Sequence, residues 1–294
     1  MSSDSTTRFS SRVADYIAHR PSYPPAVVHL LASHFSLPPD AHILDIGSGT
    51  GILTKQLIHE LSSPCPSLTV TGAEPNKDMR AAAEDMLAPD HKTGRFVSID
   101  ATAERTNLPD SSIDLIVAAQ AFHWFDVPRA RAEALRILKK TNGKTKTGAA
   151  LIWNDRRGVR FTPEQLQEVG DDISKIDYEK LDSPIGSAFD LLLLKRGTDY
   201  KKVDHHRKIN KAALDEYFGP KGFQVRSFEN PYKLSYEQLE GRLLSSSYTP
   251  QKGEKGHEEM LTELSELFER LKGEDGKVDF VYDTRVFYGE ISEG

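Results

Sequence analysis

The chain has 294 residues, a formal net charge of −6 and a pI near 6.0, and 38% of its residues are hydrophobic. This composition is typical of a globular protein with one large or two small domains, and the negative charge gives no electrostatic reason to expect nucleic acid as a partner. Cys65 is the single cysteine, which excludes an intramolecular disulfide and a multi-cysteine metal site. No apolar run approaches ~20 residues and the polar N-terminus lacks the apolar core of a signal peptide, so we expect a cytoplasmic protein without a membrane partner.

Helical patterns precede the first predicted strand. Tyr16 lies in the first of them, which ends at the sequence Arg-Pro-Ser-Tyr-Pro beginning with Arg20, because proline cannot continue a helix. A second helix is predicted from residue 26 to residue 35. We therefore expect residues 1–36 to form a helical cap that packs on the sheet rather than within it.

Residues 43–51, Ile-Leu-Asp-Ile-Gly-Ser-Gly-Thr-Gly, combine the end of a buried strand with alternate glycines, and a helical pattern follows directly. A strand, a glycine turn and a helix start are the parts of a nucleotide-binding crevice. A dinucleotide fingerprint would need glycine at position 52, where the chain has Ile52. Asp45 suits a ligand with a positive end, and S-adenosylmethionine has an ammonium and a sulfonium but no phosphate. The stretch therefore favours that cofactor over NAD.

Four further apolar segments are predicted as strands, and they alternate with helical patterns. They cover residues 68–73, 95–99, 113–119 and 149–153. Alternating strands and helices are typical of an α/β fold, with a doubly wound, Rossmann-like parallel sheet and helices on both faces. The ligand of such a sheet lies outside the carboxyl ends of the strands, so the residues that follow each strand are candidates for the site.

The segments after three of these strands carry polar or aromatic residues. Glu74 follows the second strand of the chain and is placed to accept hydrogen bonds from both ribose hydroxyls of an adenosine. Residues 100–103 follow the third strand and are expected to line the adenine end of the crevice, although they also suit a solvated loop. Gln120, His123 and Trp124 follow the fourth strand. Trp124 is expected to shape the pocket wall, while His123 suits either a catalytic or a structural role.

The alternation of strands and helices ends near residue 155. Residues 156–211 are mostly helical by pattern, and residues 223–228 and 278–288 are predicted as two closing strands. The predicted division is a helical cap (1–36), a cofactor-binding core (37–155), a helical lid (156–211) and a C-terminal part (212–294) that completes the sheet.

Several of these segments together resemble a known family. The sequences ILDIGSGTG, AEPN, DATAE, LPDSSIDLIVAAQAFHWFD and ALRILKK resemble class I S-adenosylmethionine-dependent methyltransferases of the methyltransferase-11 type. The pattern Y-x-x-x-R-P-S-Y-P, which starts at Tyr16, and the segment A-F-H-W are similar to the branch of trans-aconitate methyltransferases and their fungal relatives. The chain departs from the family in a longer loop at residues 139–148 and in the region 156–211, so the resemblance does not carry a substrate over.

The resemblance implies a seven-stranded sheet with an antiparallel last strand, a helical lid and S-adenosylmethionine as the cofactor. Methyl transfer from a sulfonium is an in-line displacement, in which holding the nucleophile close and in line provides much of the rate. The branch implies that a carboxylate of a small organic acid accepts the methyl group, with Arg20 as the candidate cation and Tyr16, Trp124 and Tyr248 closing the pocket. The residues expected to hold the cofactor are Asp45, Gly47, Ser48, Gly49, Glu74, Pro75, Asn76, Asp100, Ala101, Thr102, Ala103 and Gln120, and no metal is expected.

Three other functions remain open on sequence grounds. If the acceptor is a hydroxyl of a small metabolite, a base is needed, and His123 is the best-placed one because its ordinary pKa suits the work. The protein could instead bind the cofactor or its demethylated product without catalysis, as a sensor or partner subunit. An NAD-dependent oxidoreductase is disfavoured by Ile52. The identity of the acceptor and the oligomeric state do not follow from the sequence.

Overall fold

A computed structural model describes residues 19–140, 146–158, 176–198 and 210–292. Its seven strands form one sheet in the order β3-β2-β1-β4-β5-β7-β6. β1 to β5 are parallel, and β7 is antiparallel to both β5 and β6. The prediction of a seven-stranded sheet with an antiparallel last strand is therefore confirmed. The strands are β1 His42–Ile46, β2 Thr69–Ala73, β3 Phe96–Ile99, β4 Leu115–Ala119, β5 Gly148–Arg156, β6 Gln224–Leu234 and β7 Val278–Gly289.

The helices of the described ranges are α1 Pro25–Phe35, α2 Ile52–Glu60, α3 Lys77–Met86, α4 Ala88–Lys92, α5 Val127–Ile137, α6 Pro184–Arg196, α7 Lys211–Phe218, α8 Tyr236–Leu244 and α9 His257–Leu271, with 3₁₀ turns at Phe122–Trp124 and Tyr178–Lys180. Side-chain caps fix several of the starts. Asn76 accepts hydrogen bonds from two backbone N–H groups at the start of α3, and Ser235 forms a capping box at the start of α8. Within the described ranges, no helix has both the length and the apolar character needed to cross a membrane.

Two apolar cores lie on the two faces of the sheet, because its central strands are buried on both sides. Helices α1 and α2 cover one face, and α5 and α7 cover the other. The strand order reverses between β1 and β4. From β1 the chain continues to β2 and β3 toward one edge of the sheet, and from β4 it continues to β5 toward the other edge. A doubly wound sheet opens a ligand crevice at this reversal, outside the carboxyl ends of the strands.

A third core lies on the extended ends of β6 and β7 and contains side chains of α6, α8 and α9. The apolar run at residues 191–193 on α6 is fully buried there. This helix belongs to the region 156–211 that the sequence predicts as a lid. Residues 159–175 and 199–209 of that region lie outside the described residues, and the role of a lid stays a prediction.

Strands β5 and β6 are longer than the sequence predicts. β6 continues from residue 228 to Leu234, and Pro231 lies inside it opposite Val281. Proline lacks the N–H that a central strand needs, and its presence argues against a strand in a sequence pattern. β6 is the edge strand of the sheet, where a missing N–H costs no ladder hydrogen bond on the open side.

Candidate active site

A crevice opens at the carboxyl ends of β1, β2 and β4, at the point where the strand order reverses. It is enclosed by the segments that follow β1, β2, β3 and β4, by the segment after α8 and by Arg20. The lining residues are Arg20, Ile46, Gly47, Gly49, Glu74, Pro75, Met79, Ala101, Thr102, Ala103, Glu104, Ala119, Gln120, Ala121, His123, Trp124, Phe125, Ser247 and Tyr248.

The glycine loop depends on two different properties of glycine. Gly47 and Gly49 have φ angles of +67° and +57°, a region that other residues rarely adopt. A Cβ atom on Gly47 would lie 2.5 Å from the Cβ of Ala121, so the loop could not pack against the turn after β4. A Cβ atom on Gly49 would meet nothing within 4 Å. Gly47 therefore serves packing inside the protein, whereas Gly49 leaves one face of the loop open toward a ligand.

Glu74 joins the end of β2 to the glycine loop. Its two carboxylate oxygens accept backbone hydrogen bonds, one from Gly49 at 3.0 Å and one from Asn76 at 2.9 Å. Burial raises the pKa of Glu74, and these two N–H groups and the cation of Arg80 oppose the shift. An ionised carboxylate has about four acceptor positions, so two remain for a ligand.

Asp45 lies behind the glycine loop rather than in the crevice wall. It is 1% exposed, and its Oδ2 accepts a hydrogen bond from the hydroxyl of Thr54 at 2.7 Å. In the described ranges its Oδ1 has no hydrogen-bond partner, although it is fully buried. Burial is the main cause that raises the pKa of Asp45 to about 7. Asp45, Ser48 and Thr50 line a small separate cavity on this side of the loop.

The opposite end of the crevice is formed by aromatic and basic side chains. His123 and Trp124 lie in the 3₁₀ turn after β4 with their ring centroids 4.8 Å apart, and His123 is 7% exposed. Arg20 enters from the N-terminal side and donates from Nη2 to the backbone oxygen of Ser245 at 3.1 Å. Among the described lining residues, Arg20 is the single lysine or arginine. We call this part, which includes the buried Tyr248, the acceptor end.

The segment that carries Arg20 is held to the end of the sheet through the backbone oxygen of Ser22. This oxygen accepts hydrogen bonds from the side-chain amides of Asn154 at 3.1 Å and Asn230 at 2.9 Å. The next residue, Tyr23, is fixed by the side chain of Gln56 through both its N–H and its carbonyl oxygen. Arg20 therefore projects from a backbone with few degrees of freedom.

Comparison with known proteins identifies a domain family within this chain. Residues 44–143 match the family model of the methyltransferase domain. They contain the end of β1, all of β2 to β4, and the strand ends that form most of the crevice. Residues 44–143 form a methyltransferase domain.

Several proteins are similar to parts of this chain or to its fold. An uncharacterized methyltransferase of Schizosaccharomyces pombe is 35% identical over 151 residues, which are 50% of this chain and 53% of that relative. A malonyl-[acyl-carrier protein] O-methyltransferase of Halalkalibacterium halodurans is 32% identical over 102 residues, 34% of this chain and 36% of that relative. The chain thus spans about half the length of the first of these curated relatives and less of the second.

Solved structures resemble the fold over most of the chain. A protein of Anaeromyxobacter dehalogenans, provisionally described as a type II methyltransferase, has a TM-score of 0.59 and 21% identity, covering 94% of this chain and all 100% of that one. Phosphoethanolamine N-methyltransferase 2 of Haemonchus contortus, in complex with phosphomonomethylethanolamine and S-adenosylhomocysteine, has a TM-score of 0.51 and 13% identity, covering 99% of this chain and 60% of that one. At these identities the likeness concerns the fold alone.

S-adenosylmethionine is the cofactor of a class I methyltransferase domain, and the crevice of this domain fits it. The open face of Gly49 admits a ligand against the backbone, and Glu74 has acceptor positions left for ribose hydroxyls. A pyrophosphate near the same loop would instead face the negative charge of the Glu74 carboxylate.

The fold brings most of the predicted site residues into one crevice. Gly47, Gly49, Glu74, Pro75, Ala101, Thr102, Ala103, Gln120, His123, Trp124 and Arg20 all line it. Asp45 and Ser48 lie behind the loop, Asn76 is buried as the cap of α3, and Asp100 is 70% exposed and pairs with Arg80 at 3.0 Å. Tyr16 lies outside the described residues.

Some lining residues of the methyltransferase domain were missed by the sequence reasoning. Met79, on the first turn of α3, and Phe125, which follows the turn after β4, both face the crevice. Met79 carries no sequence signal, because a methionine on a helix is more often core. Phe125 is adjacent to the predicted pair His123 and Trp124 and could have been included with them. In the described ranges no group of three or more metal-ligating side chains is placed to hold a metal ion.

Proposed function

We propose that this protein transfers a methyl group from S-adenosylmethionine to a carboxylate of a small organic acid. The observation that carries the proposal is Arg20 at the acceptor end, since it is the single lysine or arginine in the described crevice lining. Its guanidinium can bind a carboxylate with two parallel N–H donors. The relative from Halalkalibacterium halodurans supports an oxygen acceptor of this kind, because its name gives a malonyl group as substrate and malonyl carries a free carboxylate.

The loops after β1 and β2, which we call the cofactor end of the crevice, would hold S-adenosylmethionine. Glu74 would accept from the ribose hydroxyls, the open face of Gly49 would receive the ligand against the backbone, and Asp45 would balance its positive end from behind the loop. When bound, the cofactor supplies an electrophilic methyl group on a sulfonium. The Haemonchus contortus enzyme, crystallised with S-adenosylhomocysteine, has the same fold and supports this use of the crevice.

At the acceptor end, the protein has to orient the acid and exclude water. A carboxylate is ionised at neutral pH and needs no base to act as a nucleophile. The bond from Arg20 to the oxygen of Ser245 fixes the guanidinium relative to α8, so an acid bound to it is held in one orientation. Trp124 and the buried Tyr248 line the same end and restrict the access of water.

A second candidate function is methyl transfer to a hydroxyl. His123 favours it, because this ring lines the crevice, is 7% exposed and lies at the carboxyl end of a central strand, where a base for a hydroxyl would be needed. A protein that binds the cofactor without catalysis is the third reading, and it predicts no labelled product with any acceptor.

The experiment that tests the proposal is incubation of the protein with a small-molecule extract and a methyl-labelled donor, followed by identification of the labelled product by mass. We expect one acidic metabolite to gain a methyl group. A labelled alcohol-derived ether would favour the second candidate, and the absence of any labelled product under conditions where S-adenosylhomocysteine binds would favour the third.

A further inference from the structure

Three side-chain donors converge on the backbone oxygen of Ser22. The amide of Asn230 donates to it at 2.9 Å and the amide of Asn154 at 3.1 Å, and the hydroxyl of Tyr232 lies 3.3 Å away as a third donor. A carbonyl oxygen has two lone pairs, so two donors already satisfy it. Side chains from two strands, β5 and β6, are therefore directed at one backbone atom of a segment that is neither helix nor strand.

The orientation of the two amides follows from their surroundings. A carbonyl oxygen only accepts hydrogen bonds, so each asparagine has to direct its NH₂ group toward Ser22. The amide oxygen of Asn154 is then available to β7, where the hydroxyl of Thr284 donates to it. The same oxygen lies 3.4 Å from the amide nitrogen of Asn230. Strands β5, β6 and β7 thus supply one connected network of polar side chains, and this network ends at Ser22.

Much of this network is buried. Thr284 is fully buried and Asn230 is 8% exposed. Apolar burial has no preferred direction, whereas a hydrogen bond depends on both distance and angle. Polar side chains at these positions therefore hold the segment of Ser22 at a defined distance from the sheet, which apolar side chains of the same size would not do.

Arg20 lies two residues before Ser22 and is held from both sides. Its predecessor His19 packs directly on α8, since a Cβ atom on Gly241 would lie 2.2 Å from the imidazole ring. Pro21 separates Arg20 from Ser22, and its ring fixes its own φ angle. A displacement of Ser22 is therefore transmitted to the backbone of Arg20.

The network also contacts a residue of the crevice. Gln120 lines the crevice after β4, and its side-chain amide donates to the backbone oxygen of Asn154 at 3.3 Å. Asn154 thus lies between the lining of the crevice and the segment that carries Arg20. The position of this segment is set relative to the strand ends where the acceptor would lie.

We propose that Asn154 and Asn230, which we call the amide clamp, are positioning residues that set the affinity for the acceptor by fixing the guanidinium of Arg20. The inference rests on the proposed function, because it takes Arg20 as the group that binds the acidic acceptor. Neither asparagine lines the crevice, so the clamp acts through Arg20. Two parallel donors bind a carboxylate only when the guanidinium is correctly placed, so loss of the clamp should weaken acceptor binding and leave the cofactor end unchanged.

The test compares two variants that each replace an amide of β6 with an uncharged leucine. Asn230→Leu removes the closer of the two clamp donors, and the matched control Gln224→Leu removes an exposed amide from the other end of the strand. Methyl transfer from a labelled donor is measured over a dilution series of the small-molecule extract, which gives each protein a saturating rate and a half-saturating amount of acceptor.

Asn230→Leu should raise the half-saturating amount about tenfold, since the hydrogen bond that is lost is worth about that much. Its saturating rate should change far less, and its calorimetric affinity for S-adenosylhomocysteine should equal that of the wild type. Gln224→Leu should match the wild type in all three quantities. An unchanged half-saturating amount in folded Asn230→Leu would overturn the assignment.

A double variant shows whether the clamp acts through Arg20. Arg20→Met removes the guanidinium, and Asn230→Leu is then added to it. Two residues that act through one another are not additive, so the double variant should have the half-saturating amount of Arg20→Met alone. A further rise of about tenfold would show that Asn230 acts independently of Arg20 and would contradict the assignment.

A second variant covers the case in which Asn230→Leu does not fold. Tyr232→Phe removes only the hydroxyl, which is the third donor near the oxygen of Ser22. A rise in its half-saturating amount that is absent from Arg20→Met/Tyr232→Phe relative to Arg20→Met supports the assignment. An unchanged amount in Tyr232→Phe contradicts it.

Failure of the clamp is distinguishable from failure of the proposed function. A methyl ester formed with equal half-saturating amounts in the wild type and Asn230→Leu refutes the clamp and leaves the function intact. A wild type that labels no product refutes the function, and the clamp is then tested by hydrogen exchange at the backbone amides of residues 20–23. Exchange about tenfold faster in Asn230→Leu than in Gln224→Leu supports the clamp, and equal exchange contradicts it.

Discussion

The two ends of the crevice are built on different principles. The cofactor end consists of the loops that follow β1 and β2, and it depends on backbone: the conformations of Gly47 and Gly49 and the N–H groups that bind Glu74. The acceptor end depends on side chains that are far apart in sequence, since Arg20 contacts a carbonyl 225 residues later. Substitution of a few side chains can therefore change which acceptor binds, whereas cofactor binding cannot change without a change in the conformation of the glycine loop. We therefore expect substitutions at the two ends to affect two different ligands.

The largest effect is expected from Gly47→Ala. The new methyl group would lie 2.5 Å from the Cβ of Ala121, at a φ angle of +67°. Overpacking and backbone strain together cost a few kcal/mol, so cofactor affinity should fall about 100-fold or more and the melting temperature should fall as well. The matched variant Gly49→Ala meets open space and should lower cofactor affinity with a smaller loss of melting temperature. Equal losses of melting temperature in the two variants would mean that the contact with Ala121 does not matter.

The next effect in size is expected from Glu74→Ala. Hydrogen bonds from ribose hydroxyls to a carboxylate are charge-assisted, each worth about 1.5–3 kcal/mol, so cofactor affinity should fall at least about tenfold. The KM of the acceptor should stay the same, because Glu74 belongs to the cofactor end. Glu84→Ala, which removes an exposed carboxylate from α3, is the control and should leave calorimetric affinity for S-adenosylhomocysteine unchanged. An unchanged affinity in folded Glu74→Ala would show that Glu74 serves only to hold the loop.

Arg20→Lys should affect the acceptor end alone. Lysine keeps the charge but cannot bind a carboxylate with two parallel donors, so the KM of the acceptor should rise about tenfold. His123→Asn should cost much less than the ~10²–10⁴-fold that is typical of a lost acid–base group. The two variants are compared by steady-state kinetics and by calorimetry with the cofactor.

Each departure from this pattern has a defined meaning. A loss of cofactor affinity in Arg20→Lys with an unchanged acceptor KM would move Arg20 to the cofactor end. Abolished turnover in His123→Asn, with both constants unchanged in Arg20→Lys, would make the proposal of a carboxylate acceptor wrong and favour a hydroxyl.

A prediction about stability rather than ligand binding concerns pH and Asp45. Burial raises the pKa of Asp45 to about 7 in the folded protein, above its ordinary value of 3.8. Between these values the folded protein binds a proton that the unfolded chain has lost, so the stability of the cofactor-free protein should fall as the pH rises from about 4 to about 7. Asp45→Asn cannot titrate and should lose this part of the pH dependence of the melting temperature. Identical pH profiles for both proteins would exclude Asp45 as the cause.

Much of the cofactor end could be predicted from the sequence, because its residues follow predicted strands directly. The end of each apolar run marks the edge of the sheet, and Glu74 and Gln120 are found there as expected. The same rule does not separate residues that line the crevice from those behind it. Asp45 faces away into a buried position, and Asp100 turns outward to pair with Arg80. These differences depend on side-chain direction, which strand periodicity does not give for the residues of a loop.

The acceptor end could be predicted only in part. Arg20 was predicted because a proline-rich segment follows it, and His123 and Trp124 because they follow an apolar strand directly. The amides of Asn154 and Asn230 could not be connected with Ser22, because the contact depends on the pairing of β5 and β6 with β7.

Whether a carboxylate accepts the methyl group can be determined from the stability of the product in alkali. A methyl ester is hydrolysed by mild base and releases its methyl group as methanol, whereas a methyl ether is stable under the same conditions. The labelled product from the extract is isolated, treated with dilute hydroxide and assayed for volatile label. We predict that the label is released as methanol and that an unlabelled acid remains. A product that retains its label in base would contradict this prediction and would exclude a carboxylate as the acceptor.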